Sequence, residues 1–302
     1  MYNIFMPELP EVETIRRGLE KRITNKRIEK THIFCEKSFI GNPKYLQGQK
    51  ITHINRKGKM LLIKLENGMF MMIHLRMTGQ LIYEGKDKFA AGHPDDNFYS
   101  VMPSRHTRVQ FEFSDHSNLY FNDQRKFGFV KIVDELGLRE DKFLQKLAKE
   151  PWDITPKEFY QNLQKHKNQC IKASILDQSV IAGVGNIYAD EALFMSKIFP
   201  GTITKQLNEV ATQNLLKNIQ IIMQRSIDSG GSTMKDYRKS DGSKGNYLEK
   251  FAQVFRKENQ PCPICQNSIQ KIRIAGRGTH FCPHCQPPQI SVPHTTKRQI
   301  HN

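Results

Sequence analysis

Met6-Pro7-Glu8-Leu9-Pro10-Glu11-Val12-Glu13-Thr14 is the stretch around which the rest of the chain is organised. With translation starting at Met6, removal of that methionine leaves Pro7 as the first residue of the mature chain. An N-terminal proline is a secondary amine, and α-amino groups titrate near ~7.7–8.0, so it is substantially unprotonated without any burial. It can then attack a carbonyl-level carbon as the lysines of Schiff-base enzymes do, and the product is a charged iminium, an electron sink. Glu8, one residue on, is placed to donate or accept a proton. The alternative is that Pro7 and Pro10 only rigidify a helix entrance. The preceding Met1-Tyr2-Asn3-Ile4-Phe5 would tie the proline nitrogen into a tertiary amide and abolish its nucleophilicity, so the expected start is Met6. From Pro10 to Thr24 the pattern is helical. Pro10 suits a first helical position, Glu11 and Glu13 suit the positive pole, and Arg16, Arg17, Lys21 and Arg22 follow. Val12, Ile15, Leu19 and Ile23 form one apolar stripe, so this helix can anchor the N-terminus on a core.

A chain of 302 residues is long enough for two domains and a sizeable core. Hydrophobic content of 38% and charged content of 25% fit a soluble globular protein. The formal net charge is +16, with 46 Lys+Arg against 30 Asp+Glu, which favours a polyanionic partner. A membrane surface competes with nucleic acid for that place. No apolar run approaches spanning length, because Lys64, Glu66 and His74 interrupt the richest region. The first five residues have neither a basic lead nor a long apolar core and are not read as a signal peptide. Nucleic acid is the favoured partner, and cytoplasm or nucleoid the expected compartment.

From Gln49 to Tyr83 the pattern turns to strands. Met60–Leu65 and Met69–Leu75 flank Glu66-Asn67-Gly68, a hairpin signal. Val109, Phe111 and Phe113 alternate with polar residues, and further strand-like runs occupy Leu119–Phe121 and Phe129–Val133. Glu84 to Arg108 reads as a long loop. Asp134–Thr155 reads as a connector with one short helix, followed by helices over Lys157–Lys165, Ile171–Gln178 and Asn186–Lys197. Leu207, Val210, Leu215, Ile219, Ile222, Met223 and Ile227 mark a long helix stopped by Gly230-Gly231. Ser232–Tyr247 reads as a mobile loop, and the chain from Gln286 to Asn302 as a disordered tail. The expected fold is α+β. An N-terminal antiparallel β-sandwich with flanking helices (6–133) leads through a connector (134–155) to a helical domain (156–250), a finger (251–286) and the tail (287–302).

Cys262-Pro-Ile-Cys265 and Cys282-Pro-His-Cys285, with sixteen residues between the pairs, have the spacing of a four-thiolate zinc site. Disulfides are disfavoured in a chain with no secretory signal. Cys35 and Cys170 are left over and read as small buried hydrophobes. Gly276-Arg277-Gly278 places an arginine near a hairpin tip, either a solvated turn or a phosphate contact. Gly183-Val184-Gly185-Asn186 links two predicted helices. Either it is a tight turn alone, or the free amides opening the Asn186 helix make an anion site. Lys59 reads from composition as part of a basic turn. His74–Gly79 and Asp123–Gly128 are strand–loop junctions, where Met77 and Phe127 read as a core rim.

These motifs together resemble the formamidopyrimidine-DNA glycosylase family, bacterial enzymes that excise oxidised purines. The resemblance runs from Met6 to about Gln286, through the PELPEVETIRRGLE start, the AGVGNIYADE segment and the finger with its GRGT hairpin. It implies a nucleophile at Pro7 and an acid/base at Glu8. It also implies phosphate contacts by Lys59, Asn186 and Arg277, with Lys59 touching the damaged nucleotide as well and Arg277 taking part in the lyase step, so that both count with Pro7 and Glu8 as catalytic residues. Met77, Arg125 and Phe127 match side chains that enter the duplex when a base is flipped out, and His106 joins them as a DNA-binding residue. Gln124 and Lys126 depart from commoner choices. The AGVGNIYADE segment corresponds to a helix-two-turn-helix element, and Cys262, Cys265, Cys282 and Cys285 to ligands of one structural zinc. The implied activity is a bifunctional DNA glycosylase/AP lyase acting on 8-oxoguanine and formamidopyrimidines as a monomer, cutting the strand by β,δ-elimination. Two alternatives stand beside it. One is an endonuclease VIII-like glycosylase for oxidised pyrimidines, disfavoured by the ELPEVE start. The other is a non-catalytic zinc-finger DNA-binding protein, which follows if Met1 is the true start.

Overall fold

The computed structural model describes residues 6–93, 101–231 and 251–288. Its first helix, α1 (Leu9–Ile23), has Pro10 in the opening turn, where an amide has no helical partner, and Lys21 and Arg22 at the negative pole. Val12, Ile15, Leu19 and Ile23 are buried together with both sheets of a β-sandwich. Leu9 points elsewhere and joins the core of the helical region. One helix therefore feeds two cores, and its N-terminus lies where they meet.

Ten strands follow α1. They are β1 (Ile28–Ile33), β2 (Phe39–Ile40), β3 (Ile51–Lys57), β4 (Met60–Leu65), β5 (Phe70–His74), β6 (Gly79–Glu84), β7 (Lys88–Gly92), β8 (Thr107–Phe113), β9 (Asn118–Asp123) and β10 (Phe129–Val133). One sheet runs β1-β8-β9-β6-β7 and the other β2-β10-β5-β4-β3. Every pairing is antiparallel except the short parallel contact of β2 with β10. The β4–β5 hairpin turns at the expected residues, with Gly68 at φ +82°.

Three strands depart from the sequence reading. β1 is an edge strand in which Ile28 alone is fully covered, so its composition looks like loop. β2 is only two residues long. β7 falls inside the loop expected from Glu84 to Arg108; its Ala90-Ala91-Gly92 has weak strand preference, and tertiary packing decides. The tip of the Phe89 ring of β7 abuts Gly18 of α1, where an added Cβ would come 2.1 Å from its Cζ. Residues 94–100 of that loop lie outside the described residues.

The connector carries two helices instead of one, α2 (Glu135–Glu140) and α3 (Lys142–Lys146), divided at Asp141, whose carboxylate caps the amides of Phe143 and Leu144. Leu138, Phe143, Leu144 and Leu147 cover Met60 and Met72 on the outer face of a sheet. The helical region comprises α4 (Pro156–Gln164), α5 (Ile171–Leu176), α6 (Asn186–Met195) and α7 (Glu209–Asp228). Phe159, Ile175, Tyr188, Leu193, Leu215, Ile219 and Met223 form its centre. Val210, expected on the apolar stripe of α7, is 74% exposed on the first turn. Gly230 and Gly231, both at φ +83°, close α7 as expected, with the Gly231 amide donating to the Ser226 carbonyl.

A two-stranded hairpin, β11 (Gln270–Ile274) and β12 (Arg277–Phe281), ends the described chain. Cys35 and Cys170 are half-buried, so they are not the core hydrophobes expected. Gln286, expected to open the tail, is fully buried: its Oε1 accepts from the Cys282 amide and its Nε2 donates to the Ile198 carbonyl. The loop expected at Ser232–Tyr247 and the tail from 289 onwards lie outside the described residues.

Candidate active site and metal centre

Pro7 and Glu8 are buried at the head of α1. The Glu8 amide donates to Glu11 Oε2 at 2.9 Å, which fixes the first turn. Glu11 in turn accepts from the Tyr188 hydroxyl at 2.6 Å, so the same carboxylate ties α1 to α6. The Leu9 amide donates to the Gly183 carbonyl at 3.2 Å, and Glu8 Oε1 accepts from the Ile187 amide at 2.9 Å. The amides opening α6, which the sequence alone leaves as a candidate anion site, are taken up by the Glu8 carboxyl. The glycines of Gly183-Val184-Gly185 make room for it: a Cβ on Gly185 would stand 2.2 Å from the Glu8 carboxyl carbon.

Burial pushes the Glu8 carboxyl up from an ordinary 4.5 to about 7, with Glu11 adding to the rise and Lys59 and the Ile187 amide opposing it. Glu8 Oε2 is buried with no hydrogen-bond partner among the described residues. Lys59 is no solvated turn residue. The Gly58–Lys59 turn between β3 and β4 is held by Glu150, which accepts from the Gly58 amide at 2.7 Å and from Arg56. Lys59 points inward, 6% exposed, and donates to the Val184 carbonyl at 2.9 Å. Burial pushes its ammonium below the ordinary lysine range, Glu8 opposes that, and Arg277 adds to it.

Arg277 is exposed on the first residue of β12, just past the tight turn Ala275-Gly276, both at positive φ. The hairpin behind it is fastened to α6. Asn186 Nδ2 donates to the Gly278 carbonyl at 3.1 Å, and Asp190 Oδ2 accepts from the His280 amide at 2.9 Å. Lys172, with no exposed surface, bonds Asp190 Oδ1 at 2.6 Å and Thr279 Oγ1 at 2.7 Å and reaches the Gly278 carbonyl at 3.2 Å. Glu191 accepts from the amides of Gln253, Val254 and Phe255. Asn186, expected as a phosphate ligand, thus spends its amide nitrogen on the hairpin, while its Oδ1 is buried without a hydrogen-bond partner among the described residues.

The second group of expected residues clusters around the loops after β5 and β9. The Arg125 guanidinium lies over the Phe127 ring, 4.9 Å from its centre, and Arg125 Nη1 lies 3.5 Å from Met77 Sδ. Phe127 is 55% exposed, more than a rim of core would be. His106 is half-buried beside them, its carbonyl accepting from the Asp123 amide at 2.9 Å. Strand register relates the two groups. Met60 pairs with His74, His74 with Phe129, and Gly79 with Asp123. The Lys59 turn, the Met77 loop and the Arg125–Phe127 loop therefore project from the same end of the sandwich. His74 stands between them, pushed down to about 3 by burial and by the Arg76 and Lys59 cations, and its neutral Nδ1 accepts from the Arg76 amide.

The four expected cysteines converge, their sulfurs all within 4.8 Å of one another. Cys262–Cys285 and Cys265–Cys282 sulfur separations are 3.9 and 3.5 Å, too long for a disulfide and close to the ~3.8 Å edge of a tetrahedron with Zn–S near ~2.3 Å. Phe194, Val254 and Ile269 pack around them. This donor set fits a structural metal with no open position.

Sequence reasoning missed Glu150, Lys172, Asp190 and Glu191, and gave Glu11 only a place at the helix pole. Lys172, in Ile171-Lys172-Ala173-Ser174-Ile175, and Asp190-Glu191, between Ala189 and Ala192, carried one signal, ionisable residues set among apolar ones, while Glu150 beside Lys149 carried none.

Three family models match the chain: the formamidopyrimidine-DNA glycosylase N-terminal domain over residues 6–130, its H2TH domain over 147–238, and a zinc finger found in FPG and IleRS over 259–288. The formamidopyrimidine-DNA glycosylase of Listeria innocua is 37% identical over 290 residues, which cover 93% of this chain and 100% of the relative. The enzyme of that name from Mycoplasma mobile is 39% identical over 288 residues, 93% of this chain and 99% of the relative. Among solved structures, a Lactococcus lactis FPG variant in complex with Fapy-dG-containing DNA superposes with a TM-score of 0.80 at 34% identity, covering 93% of this chain and 100% of the other. Lactococcus lactis Fpg with abasic-site DNA gives a TM-score of 0.80 at 33% identity, covering 93% and 99%.

Proposed function

Because the chain belongs to the formamidopyrimidine-DNA glycosylase family, we propose that it removes oxidised purines such as 8-oxoguanine and formamidopyrimidines from duplex DNA and then cuts the strand. The active species begins at Pro7. The family match starts at residue 6, which supports that start. The Pro7 nitrogen forms a bond to the sugar C1′ of a flipped nucleotide as the bond from C1′ to the base breaks, and the departing base takes the proton that the newly bonded amine gives up. The freed lone pair on the Pro7 nitrogen expels O4′, and the ring opens to an iminium between Pro7 and C1′. Glu8 supplies the proton that O4′ takes. Loss of the C2′ proton then expels the 3′ phosphate, and a second elimination expels the 5′ phosphate.

One observation carries this reading: a carboxyl raised to about 7 sits beside the proline, seated on the first amides of α6 and close to Lys59. A group that titrates near the working pH can donate in one step and accept in another. Arg277 and Lys59 supply positive charge for the phosphates flanking the lesion, while Met77, Arg125 and Phe127 fill the stack that the flipped nucleotide leaves. The four cysteines hold one zinc, whose service is to fix the Arg277 hairpin; no chemical step runs through it. The enzyme works as a monomer.

Borohydride reduction tests the reading, since it converts the iminium into a permanent protein–DNA bond. Protein initiated at Met6 and trimmed to Pro7 is expected to be trapped on 8-oxoguanine duplex, and protein retaining Met1–Phe5 is not. Trapping of the longer form, with its extension shown intact by mass, would refute the Pro7 nucleophile.

A further inference from the structure

The two loops that carry Met77 and Arg125–Phe127 have exposed tips, yet a single fully buried residue fastens both. Asp123, the last residue of β9, has no exposed surface, and all four of its polar groups are engaged. Its amide donates to the His106 carbonyl at 2.9 Å, and its carbonyl accepts from Arg108 Nε at 2.7 Å. Oδ1 accepts from the Thr78 hydroxyl and from the Arg125 amide at 3.1 Å, and Oδ2 from the Gly128 amide at 2.7 Å. The two oxygens thus hold both ends of the segment from Arg125 to Gly128, and Thr78 ties in the loop whose neighbouring residue is Met77. Thr78 Oγ1 also accepts from the Arg125 amide at 3.1 Å, which closes a small ring across the two loops. Arg108, 7% exposed, locks the arrangement from beneath through the carbonyls of Asp123 and Arg105.

We propose that Asp123 and Thr78 are positioning residues that hold Met77, Arg125 and Phe127 as one preorganised wedge, so that it enters the stack without first being ordered. This rests on the reading above that those three side chains enter the duplex. Both loops contain a left-handed residue, Arg76 at φ +52° and Lys126 at φ +56°, a conformation that unsupported L-residues rarely keep. The carboxylate is what holds the second loop in it. A wedge lacking that support has to lose its loop and side-chain freedom at the moment of entry, which slows unstacking and leaves the chemistry at Pro7 untouched.

The test uses the full chain from Pro7 with zinc, and a duplex carrying 2-aminopurine beside the lesion, whose fluorescence rises on unstacking. Thr78→Val keeps the side-chain shape and removes the hydroxyl; it is expected to slow unstacking roughly tenfold, the weight of a hydrogen bond to a charged group. Thr78→Ser retains the bond and is expected to stay within about twofold of the parent, a much smaller loss. Cleavage of a single-stranded abasic oligonucleotide, which has no stack to enter, reports whether the chemistry is intact, and Thr78→Val should match the parent there. Asp123→Asn, where it folds, should reproduce Thr78→Val. Parental unstacking by Thr78→Val alongside slow unstacking by Phe127→Ala would overturn the clamp and leave the wedge standing. Equal losses by Thr78→Val on duplex and single strand would make the role merely structural and also overturn it. Parental unstacking by Phe127→Ala would remove the wedge reading and the clamp with it.

Discussion

Glu8→Gln should gain stability relative to the parent as the pH rises from 4.5 to 8, on top of a difference that is the same at every pH. Glu8 is 2% exposed and is raised from 4.5 to about 7, chiefly by burial. A group whose folded pKa lies above its unfolded value contributes stability that is fully present below the unfolded pKa. That contribution is lost as the pH rises through the folded one. Between 4.5 and about 7 the folded protein therefore holds a proton that the unfolded chain has released, and above 7 it must bury the charge. At about 1.4 kcal/mol per tenfold change in proton affinity, the displacement sets a ceiling of about 3 kcal/mol. Glutamine carries no charge and removes this dependence. Its own packing and hydrogen-bond differences are the same at every pH, so they cancel when two pH values are compared. Lys59 limits the effect and is already counted in it: its attraction for the charged Glu8 favours the parent only at high pH, and it holds the folded value down to about 7.

The assay is thermal unfolding of the 302-residue parent and Glu8→Gln at pH 5 and pH 8 in matched salt, followed by near-ultraviolet signals. At about 2 °C per kcal/mol for a chain of this size, the variant should gain up to about 6 °C on the parent between the two pH values. An unchanged difference would mean that Glu8 is as easily ionised in the folded protein as in the unfolded chain. The seat between α1 and α6 would then not be the dry acid site on which the mechanism depends.

Three further perturbations separate the parts of the site. Gly185→Ala places a methyl group 2.2 Å from the Glu8 carboxyl carbon, so base excision should fall by at least about 10²-fold, the scale of general acid–base catalysis, while zinc content and duplex affinity measured by gel shift stay parental. Cys262→Ser should lose the metal and duplex binding together, since folding of such a module is coupled to its ion. Circular dichroism should show the sandwich and helical cores retained, and about one zinc per chain in the variant would refute the four-thiolate site. Arg277→Ala should weaken duplex binding and make the salt dependence of affinity shallower by roughly one phosphate contact, as read from titrations at several salt concentrations.

What the sequence disclosed and what it withheld divide along a physical line. Periodicity marked α1, α7 and the central strands because each buries a regular face, and the thiolate pairs announced themselves because metal geometry demands their spacing. The motif residues were also legible by position, and the structure draws them into two groups at one end of the sandwich. The environment of those residues was hidden. Lys59 looked like one cation among 46, and only the fold shows its ammonium turned inward to the Val184 carbonyl. The α6 amides looked like a vacant anion site because the partner that fills them, Glu8, is nearly 180 residues away in the chain. Lys172, Asp190 and Asp123 are ionisable residues that charge alone would place in solvent, yet all three are at 0% exposure. A charge so placed is tolerated only where several partners converge on it, and those partners come from distant elements. Such residues bind no substrate in this reading. They set where the exposed ones stand: Lys172 and Asp190 carry the Arg277 hairpin, and Asp123 carries the wedge. A buried ion with every polar atom engaged is therefore the mark by which this fold shows which of its loops must not move.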